Sequence, residues 1–285
     1  MKSTAVLGND RIALVTGASR GIGALIAKEL ARQGNHVVLA SRSTTELEAV
    51  ASEIRAEGGN ASVEPVDLTS SSAAEALVAT VEARYGSIDV LVNNAGGDPQ
   101  REFHVMTFAE NLEIVQLNLL APLALSHAAL EGMLRRGRGH IVNISAIAGR
   151  VSFPYLEAYA AAKDGLIGFT RVLRADYGQL GVSASVVVLG AIRDAGQGQR
   201  TADLVGMKLP KFATVPAAAV ADAVVRAVKD NKAEVVLLPG PGRLMKAIMD
   251  LFPGFGPAMN KASGSTTTLR RVIEFRAQQR VGAAR

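Results

Sequence analysis

A tyrosine and a lysine stand four residues apart in Y-A-A-A-K (159–163). In a helix, that spacing puts Tyr159 and Lys163 on one face. A free phenol with a pKa of about 10 exchanges protons poorly at neutral pH. An ammonium beside it favours the phenolate and brings the pKa toward the working range. The three alanines between them keep the helix slim, so a cofactor could lie close. A second group of residues is T-G-A-S-R-G-I-G (16–23). Gly17, Gly21 and Gly23 let the backbone turn tightly and approach a bulky phosphate, with Ser19 and Ile22 carried in the same loop. A helix that follows would present free N–H groups and a positive dipole end to that phosphate. A third candidate is the hydroxyl of Ser145, at the end of the apolar run H-I-V-N-I (140–144), with Ala146 next to it.

These groups need a scaffold, and the chain spells one out. Short apolar runs at 12–16, 36–40, 61–66, 89–93, 140–144, 183–189 and 234–238 read as strands. They are rich in Val, Ile and Leu and mostly lack strict alternation, as parallel strands covered on both faces do. Helical patterns lie between them, near 21–33, 45–57, 72–85, 108–135, 155–178 and 216–230. Strand–helix alternation of this kind predicts an α/β fold with a doubly wound parallel sheet. The glycine loop then falls between the first strand and the first helix, where a dinucleotide is held. The second strand ends in A-S-R (40–42), where an acidic residue would take the ribose hydroxyls of NAD. Ser41 and Arg42 stand there instead, with Arg20 in the glycine loop, and two guanidiniums could clamp a 2′-phosphate. The expected cofactor is therefore NADP(H).

T-G-A-S-R-G-I-G, then N-N-A-G (93–96) after the fourth strand, then Y-A-A-A-K occur in this order on this strand rhythm. Together they resemble the classical short-chain dehydrogenase/reductase family over about residues 9–240. The resemblance implies a seven-stranded Rossmann-type sheet, usually in homodimers or homotetramers. It implies that Tyr159 is the general acid that protonates a carbonyl oxygen as hydride arrives from the nicotinamide. Lys163 would lower the pKa of Tyr159 and hold the nicotinamide ribose, and Asn118, in Q-L-N-L-L (116–120), would support a proton relay through water. Asp67, in V-D-L (66–68), would contact the adenine with Leu68 beside it. Asn93 and the backbone at Ala95 and Gly96 would line the adenosine side, and Gly190 and Ile192 the nicotinamide side.

Two departures from the family pattern stand out. The family's strand-five serine polarises the substrate carbonyl and lies thirteen residues before the tyrosine; here that position is Ala146. Ser145 is one place early, and neighbours in a strand face opposite ways. Either the strand end bulges and lets Ser145 act, or Tyr159 works alone, or catalysis is lost. After the sixth strand the run is L-G-A-I-R-D (189–194), with Leu189 in place of a proline and Asp194 near the place of a threonine that meets the nicotinamide amide.

The rest of the chain sets limits. Its 285 residues suit one catalytic domain, residues 1–240, followed by a C-terminal helical extension with a basic tail, 241–285. Cysteine is absent, so disulfides and thiolate metal sites are excluded, and the four histidines show no ligand spacing; no metal is expected. No signal-like run opens the chain and no stretch is apolar enough to span a bilayer, so the expected location is cytoplasmic. The net charge of +5 is concentrated late: residues 1–210 hold 19 Lys+Arg against 21 Asp+Glu, and residues 211–285 hold 12 against 5. That distribution argues against a nucleic-acid partner. Segment 193–215, long and Gly/Gln-rich at first, falls where the family places its mobile substrate lid. Phe153, Tyr155, Leu156 and Phe212 suggest an apolar pocket near it. Residues 243–252 place Leu244, Ile248, Leu251 and Phe252 on one helical face, a stripe for packing or, with 253–280, for a membrane surface.

The sequence therefore predicts an NADP(H)-dependent oxidoreductase interconverting a carbonyl and an alcohol. The alternatives are an NADP(H)-binding module of the same fold with little turnover, and a 3-oxoacyl-thioester reductase.

Overall fold

The computed structural model describes residues 6–70, 72–262 and 265–283. Seven strands, β1 (Ile12–Thr16), β2 (His36–Ser41), β3 (Asn60–Pro65), β4 (Val90–Asn93), β5 (Gly139–Ala146), β6 (Val182–Leu189) and β9 (Glu234–Leu237), form one sheet in the order β3-β2-β1-β4-β5-β6-β9. Every neighbouring pair is parallel. The seven expected strands are all present, with ends shifted by a residue or two.

Both sheet faces are covered, which is why the strands lack a polar side. Ala13 and Val15 of β1 face a cluster with α1 (Gly21–Arg32), α2 (Thr44–Ala56) and α9 (Ala218–Lys229). Ile12 and Leu14 face the other cluster, with α3 (Ala73–Tyr85), α5 (Ala121–Arg136) and α7 (Glu157–Tyr177). The chain builds β1, β2 and β3 outward in one direction, then returns to add β4 on the far side of β1. That reversal opens a crevice beyond the carboxyl ends of β1 and β4, where open α/β sheets bind ligands.

Three segments differ from the sequence expectation. The helical pattern at 108–135 is two helices, α4 (Phe108–Val115) and α5, joined by a π turn at Gln116–Leu120. The run Phe108–Arg136 is long and apolar enough to cross a membrane by composition, but Ala121, Leu125, Ala129 and Met133 are spent on the core. Segment 193–215 is not a structureless loop. Ile192–Arg193 (β7) pairs with Val215–Pro216 (β8), and between them lies α8 (Gly196–Leu204).

The third difference is the face of α10 (Gly242–Leu251). Its buried side holds Gly242, Lys246 and Met249, while Leu244, Leu251 and Phe252 after it are turned outward. Met249 joins Ile147, Ile167, Val186 and Val188. Lys246 donates to Asp250 at 2.8 Å and lies 3.5 Å from Glu234 of β9, and Asp250 also meets Arg150 at 3.3 Å. A buried ammonium is tolerable only when paired like this, so the ion network fixes the helix rotation against the apolar stripe. Two more helices follow, α11 (Phe255–Ala262) and α12 (Ser265–Ala283).

Candidate active site

The glycine loop joins β1 to α1. Gly17 and Gly21 have φ of 64° and 61°, a left-handed conformation that a side chain would strain. A Cβ on Gly17 would stand 2.9 Å from Ala95 Cα, and one on Gly23 would overlap the Gly17 carbonyl oxygen. The loop is held from the β4 side. Thr16 Oγ1 accepts from the N–H groups of Asn94 and Ala95 at 3.1 Å, and Asn94 Nδ2 donates to the carbonyls of Thr16 (2.9 Å) and Gly17 (3.2 Å).

Asn93, expected at the adenosine side, points elsewhere. It is buried, and its Nδ2 donates to Asn143 Oδ1 at 2.8 Å and Ser126 Oγ at 3.2 Å, tying β4 to β5 and α5. Strand alternation turns it into the core and hands the cleft to Asn94. Both asparagines were visible in N-N-A-G; the signal that separates them is the parity of β4.

A cleft of ≈ 570 Å³ runs from this loop across the ends of the strands. One end is formed by Ser19, Arg20, Ile22, Ser41, Arg42, Asp67 and Leu68, the other by Ala146, Tyr159 and Lys163, with Ala95, Gly96, Gly190 and Ile192 between. The Ser41 hydroxyl is buried without a hydrogen-bond partner. Arg20 lies 3.5 Å from Glu46, a long surface pair that constrains it little. Asp67 Oδ1 accepts from the Thr69 N–H and hydroxyl, and these bonds hold the carboxyl below its usual range. An orphaned hydroxyl beside two guanidiniums fits a phosphate at this end, and the glycine cradle fits a pyrophosphate.

At the other end, α7 presents Tyr159 and Lys163. Lys163 is 4% exposed and donates from Nζ to the Ile144 carbonyl at 3.0 Å. Its Nζ lies 5.6 Å from the centre of the Tyr159 ring. Burial pulls its pKa down to about 8. Tyr159 departs from the expectation of a lowered pKa: burial, with the charge of Asp98 adding to it, pushes the phenol well above its usual value. Lys163, bonded to the Ile144 carbonyl, is not among the influences that set this value. The group is thus a neutral phenol, suited to donate a proton.

Asn118 sits in the π turn, fully buried. The extra residue in that turn aims its side chain back at the loop after β4. Its Oδ1 accepts from Gly97 N–H at 3.1 Å, and its Nδ2 donates to the carbonyls of Gly97 (2.8 Å) and Ile114 (2.9 Å). A Cβ on Gly96 would stand 2.6 Å from Asn118 Oδ1 and 3.2 Å from Lys163 Nζ. Gly96 is therefore the spacer that lets the asparagine and lysine converge.

Ser145 lines the cleft, and its hydroxyl is bonded to α7. β5 runs straight to Ala146, in register with β6 to the last residue and without a bulge. Ser145 is 1% exposed, and its Oγ donates to the Lys163 carbonyl at 2.7 Å. The hydroxyl of Ser145, expected in the catalytic set, is thus bonded to the backbone of α7. Ala146, partly buried, lines the cleft at the strand end. Asp194 is likewise occupied, with Arg193 at 3.5 Å and Gln199 bonded to its N–H. Phe212, proposed for an apolar pocket, is 86% exposed.

Residues 11–204 match the family model for short chain dehydrogenases. The chain belongs to that family. Ketoacyl reductase HetN of Nostoc sp. is 36% identical over 249 residues, which is 84% of this chain and 84% of that one, so the likeness continues past the matched segment. Among solved structures, a metagenomic short-chain oxidoreductase in complex with NADP superposes with a TM-score of 0.71 at 35% identity, over 83% of this chain and 100% of that one. The actinorhodin polyketide ketoreductase with NADPH gives 0.74 at 28% identity, over 83% and 99%. This short-chain dehydrogenase thus has the family's doubly wound sheet, with Asn118, Tyr159 and Lys163 gathered at one end of the cleft and an alanine where the strand-five serine is expected. Sequence reasoning missed Asn94, Gln197 and Arg200, all of which line the cleft. Asn94 was masked by its neighbour, and the other two lie in a segment whose helix was not foreseen.

Proposed function

We propose that this short-chain dehydrogenase is an NADP(H)-dependent oxidoreductase that interconverts a carbonyl and an alcohol. The observation that carries the reading is the continuity of one cleft from Ser41 and Arg42, past the glycine loop, to Tyr159 and Lys163. The dinucleotide, when bound, supplies or takes up hydride at the nicotinamide ring. The chain does the rest. Ser41, with Arg42 and Arg20, supports NADP(H) over NAD(H), because a 2′-phosphate would give the orphaned hydroxyl and the guanidiniums a partner. Tyr159 Oη hands its proton to the substrate oxygen. Lys163, close to its neutral range, takes part in restoring that proton, and Asn118 holds the loop at Gly97 that frames the relay. With Ala146 at the strand end, Tyr159 is the one family donor left for the substrate oxygen.

A narrower reading, reduction of a 3-oxoacyl thioester, is favoured by the likeness to a ketoacyl reductase. Consumption of NADPH across ketones, aldehydes and 3-oxoacyl thioesters tests both. Turnover with thioesters above all others selects the narrower one. Binding of NADPH with no turnover on any of them replaces both with a nucleotide-binding module. Exposed Phe108, Leu112 and Val172 on α4 and α7 support a homo-oligomer, which light scattering checks. The outward Leu244, Leu251 and Phe252 support peripheral contact with an anionic membrane, and failure to float with anionic vesicles would remove that contact.

A further inference from the structure

Helix α8 crosses the cleft and is latched on its far side. Gln197 Nε2 donates to the Asp98 carbonyl at 2.8 Å, and Gln197 Oε1 accepts from the Asp98 N–H at 3.0 Å. One turn later, Thr201 Oγ1 donates to Gln100 Oε1 at 2.8 Å, and both residues are buried. This double latch sets the first turn of α8 down on the glycine loop. Gly196 N lies 3.4 Å from where a Cβ on Gly21 would stand, and a Cβ on Gly196 would press on Ile22 Cδ1 at 2.9 Å.

Arg200 follows one turn along, on the same side of α8. Its Nη1 lies 3.9 Å from the same Gly21 position, and it lines the cleft together with Arg20 and Gln197. Among the described residues, no hydrogen bond or ion pair is found for its guanidinium. Burial and the nearby charge of Arg20 both weigh against its charged form, and no carboxylate is close enough to favour it. The Arg200 guanidinium, at the wall of the cleft with no acidic partner among the described residues and with the charge of Arg20 nearby, makes a place for an anion. The same spot receives the free N–H groups at the start of α1.

We propose that Arg200 is a binding residue for the pyrophosphate of the dinucleotide, reaching it from the lid side opposite the glycine loop. The latch to Asp98 and Gln100 holds α8 in the position from which Arg200 reaches. This proposal rests on the dinucleotide reading above.

The test is equilibrium binding of NADPH and NADH to wild type, Arg200→Gln and Arg200→Lys, read by nicotinamide fluorescence. Both dinucleotides carry the pyrophosphate; only NADPH carries the 2′-phosphate. Arg200→Gln is expected to weaken both by the same factor, about tenfold or more for a lost charge-assisted bond. Arg200→Lys keeps the charge and is expected to fall between wild type and Arg200→Gln, which also separates lost binding from lost folding. Unchanged affinities in Arg200→Gln overturn the proposal, and so does a loss confined to NADPH, which would move the contact to the 2′-phosphate. If wild type binds neither dinucleotide, the cofactor reading itself falls and takes this proposal with it.

Discussion

At the phosphate end of the cleft, every feature required to hold an anion is in place and braced by something else. Gly23 leaves room for the Gly17 carbonyl, Thr16 and Asn94 pin the loop, and Ser41, Arg20 and Arg42 wait at the end of β2. At the carbonyl end, Tyr159, Lys163 and Asn118 are placed with equal care, yet a methyl group stands at Ala146 where a hydroxyl donor is expected. The bracing of Lys163, by Ile144 on one side and by Ser145 through its own carbonyl, belongs to the scaffold around that gap. From that difference we infer that binding and chemistry are separable in this molecule, which substitutions at the two ends test.

The strongest test of that separation is Tyr159→Phe. Removing the proton donor is expected to lower turnover by about 10²–10⁴-fold, while NADPH affinity stays within a few-fold of wild type. Steady-state rates beside a binding titration decide it. If both fall together, the two ends are not independent. Next in size is Ala146→Ser, which would add a donor at the strand end. A donor at the developing oxyanion is worth about 10²–10³-fold elsewhere, so turnover is expected to rise by up to that amount. A neutral or harmful effect would mean that Tyr159 alone already meets the substrate oxygen.

Ser145→Ala probes the neighbour and should do much less to chemistry. The lost bond to Lys163 O is buried, and a net cost of about 1 kcal/mol in stability follows from the usual worth of such a bond. Urea unfolding measures that cost. A fall in turnover as large as that of Tyr159→Phe would return Ser145 to the catalytic set.

This pair also shows what was legible in the sequence. The strand rhythm, the glycine spacing and the tyrosine–lysine pair were legible because they are local: period, turn chemistry and helix spacing fix them. The parity of β5 was legible in principle, and it correctly warned that Ser145 and Ala146 face opposite ways. The same parity along β4 separates Asn93, bonded inside the core, from Asn94, which lines the cleft. The face of α10 was illegible for a different reason. An apolar stripe predicts an inward face only if no charge has a better partner inside, and Lys246 has Asp250 and Glu234. Asp250 lies in the same stretch, but nothing in the local spacing shows that Glu234 of β9 stands against this side of the helix. Arg200 was hidden in the same way, since only the latch from Gln197 to Asp98 shows which side of α8 faces the cleft.

The last test concerns Asp98, beside both the lid latch and Tyr159. It carries the lid latch through its backbone, and its carboxyl is pushed up to about 6, chiefly by burial, with Glu157 adding and the Gln100 N–H, Arg276 and Arg101 opposing. Its ordinary value is 3.8, so between these two values the folded protein keeps a proton that the unfolded chain has released. Folding stability contributed by this group is therefore full below the ordinary value and is lost as pH rises through about 6. Asp98→Asn keeps a neutral side chain and an acceptor for Gln100, and removes that loss. Relative to wild type, the variant is expected to gain stability from pH 4 to pH 7 in urea unfolding series, with no gain below that window. The charge on Asp98 also helps hold Tyr159 up, so the basic limb of the pH–rate profile should move to lower pH in the variant. A stability difference that stays constant with pH would show that Asp98 does not titrate in the fold. A shifted profile with Tyr159→Phe-like turnover would show that it matters to the proton itself.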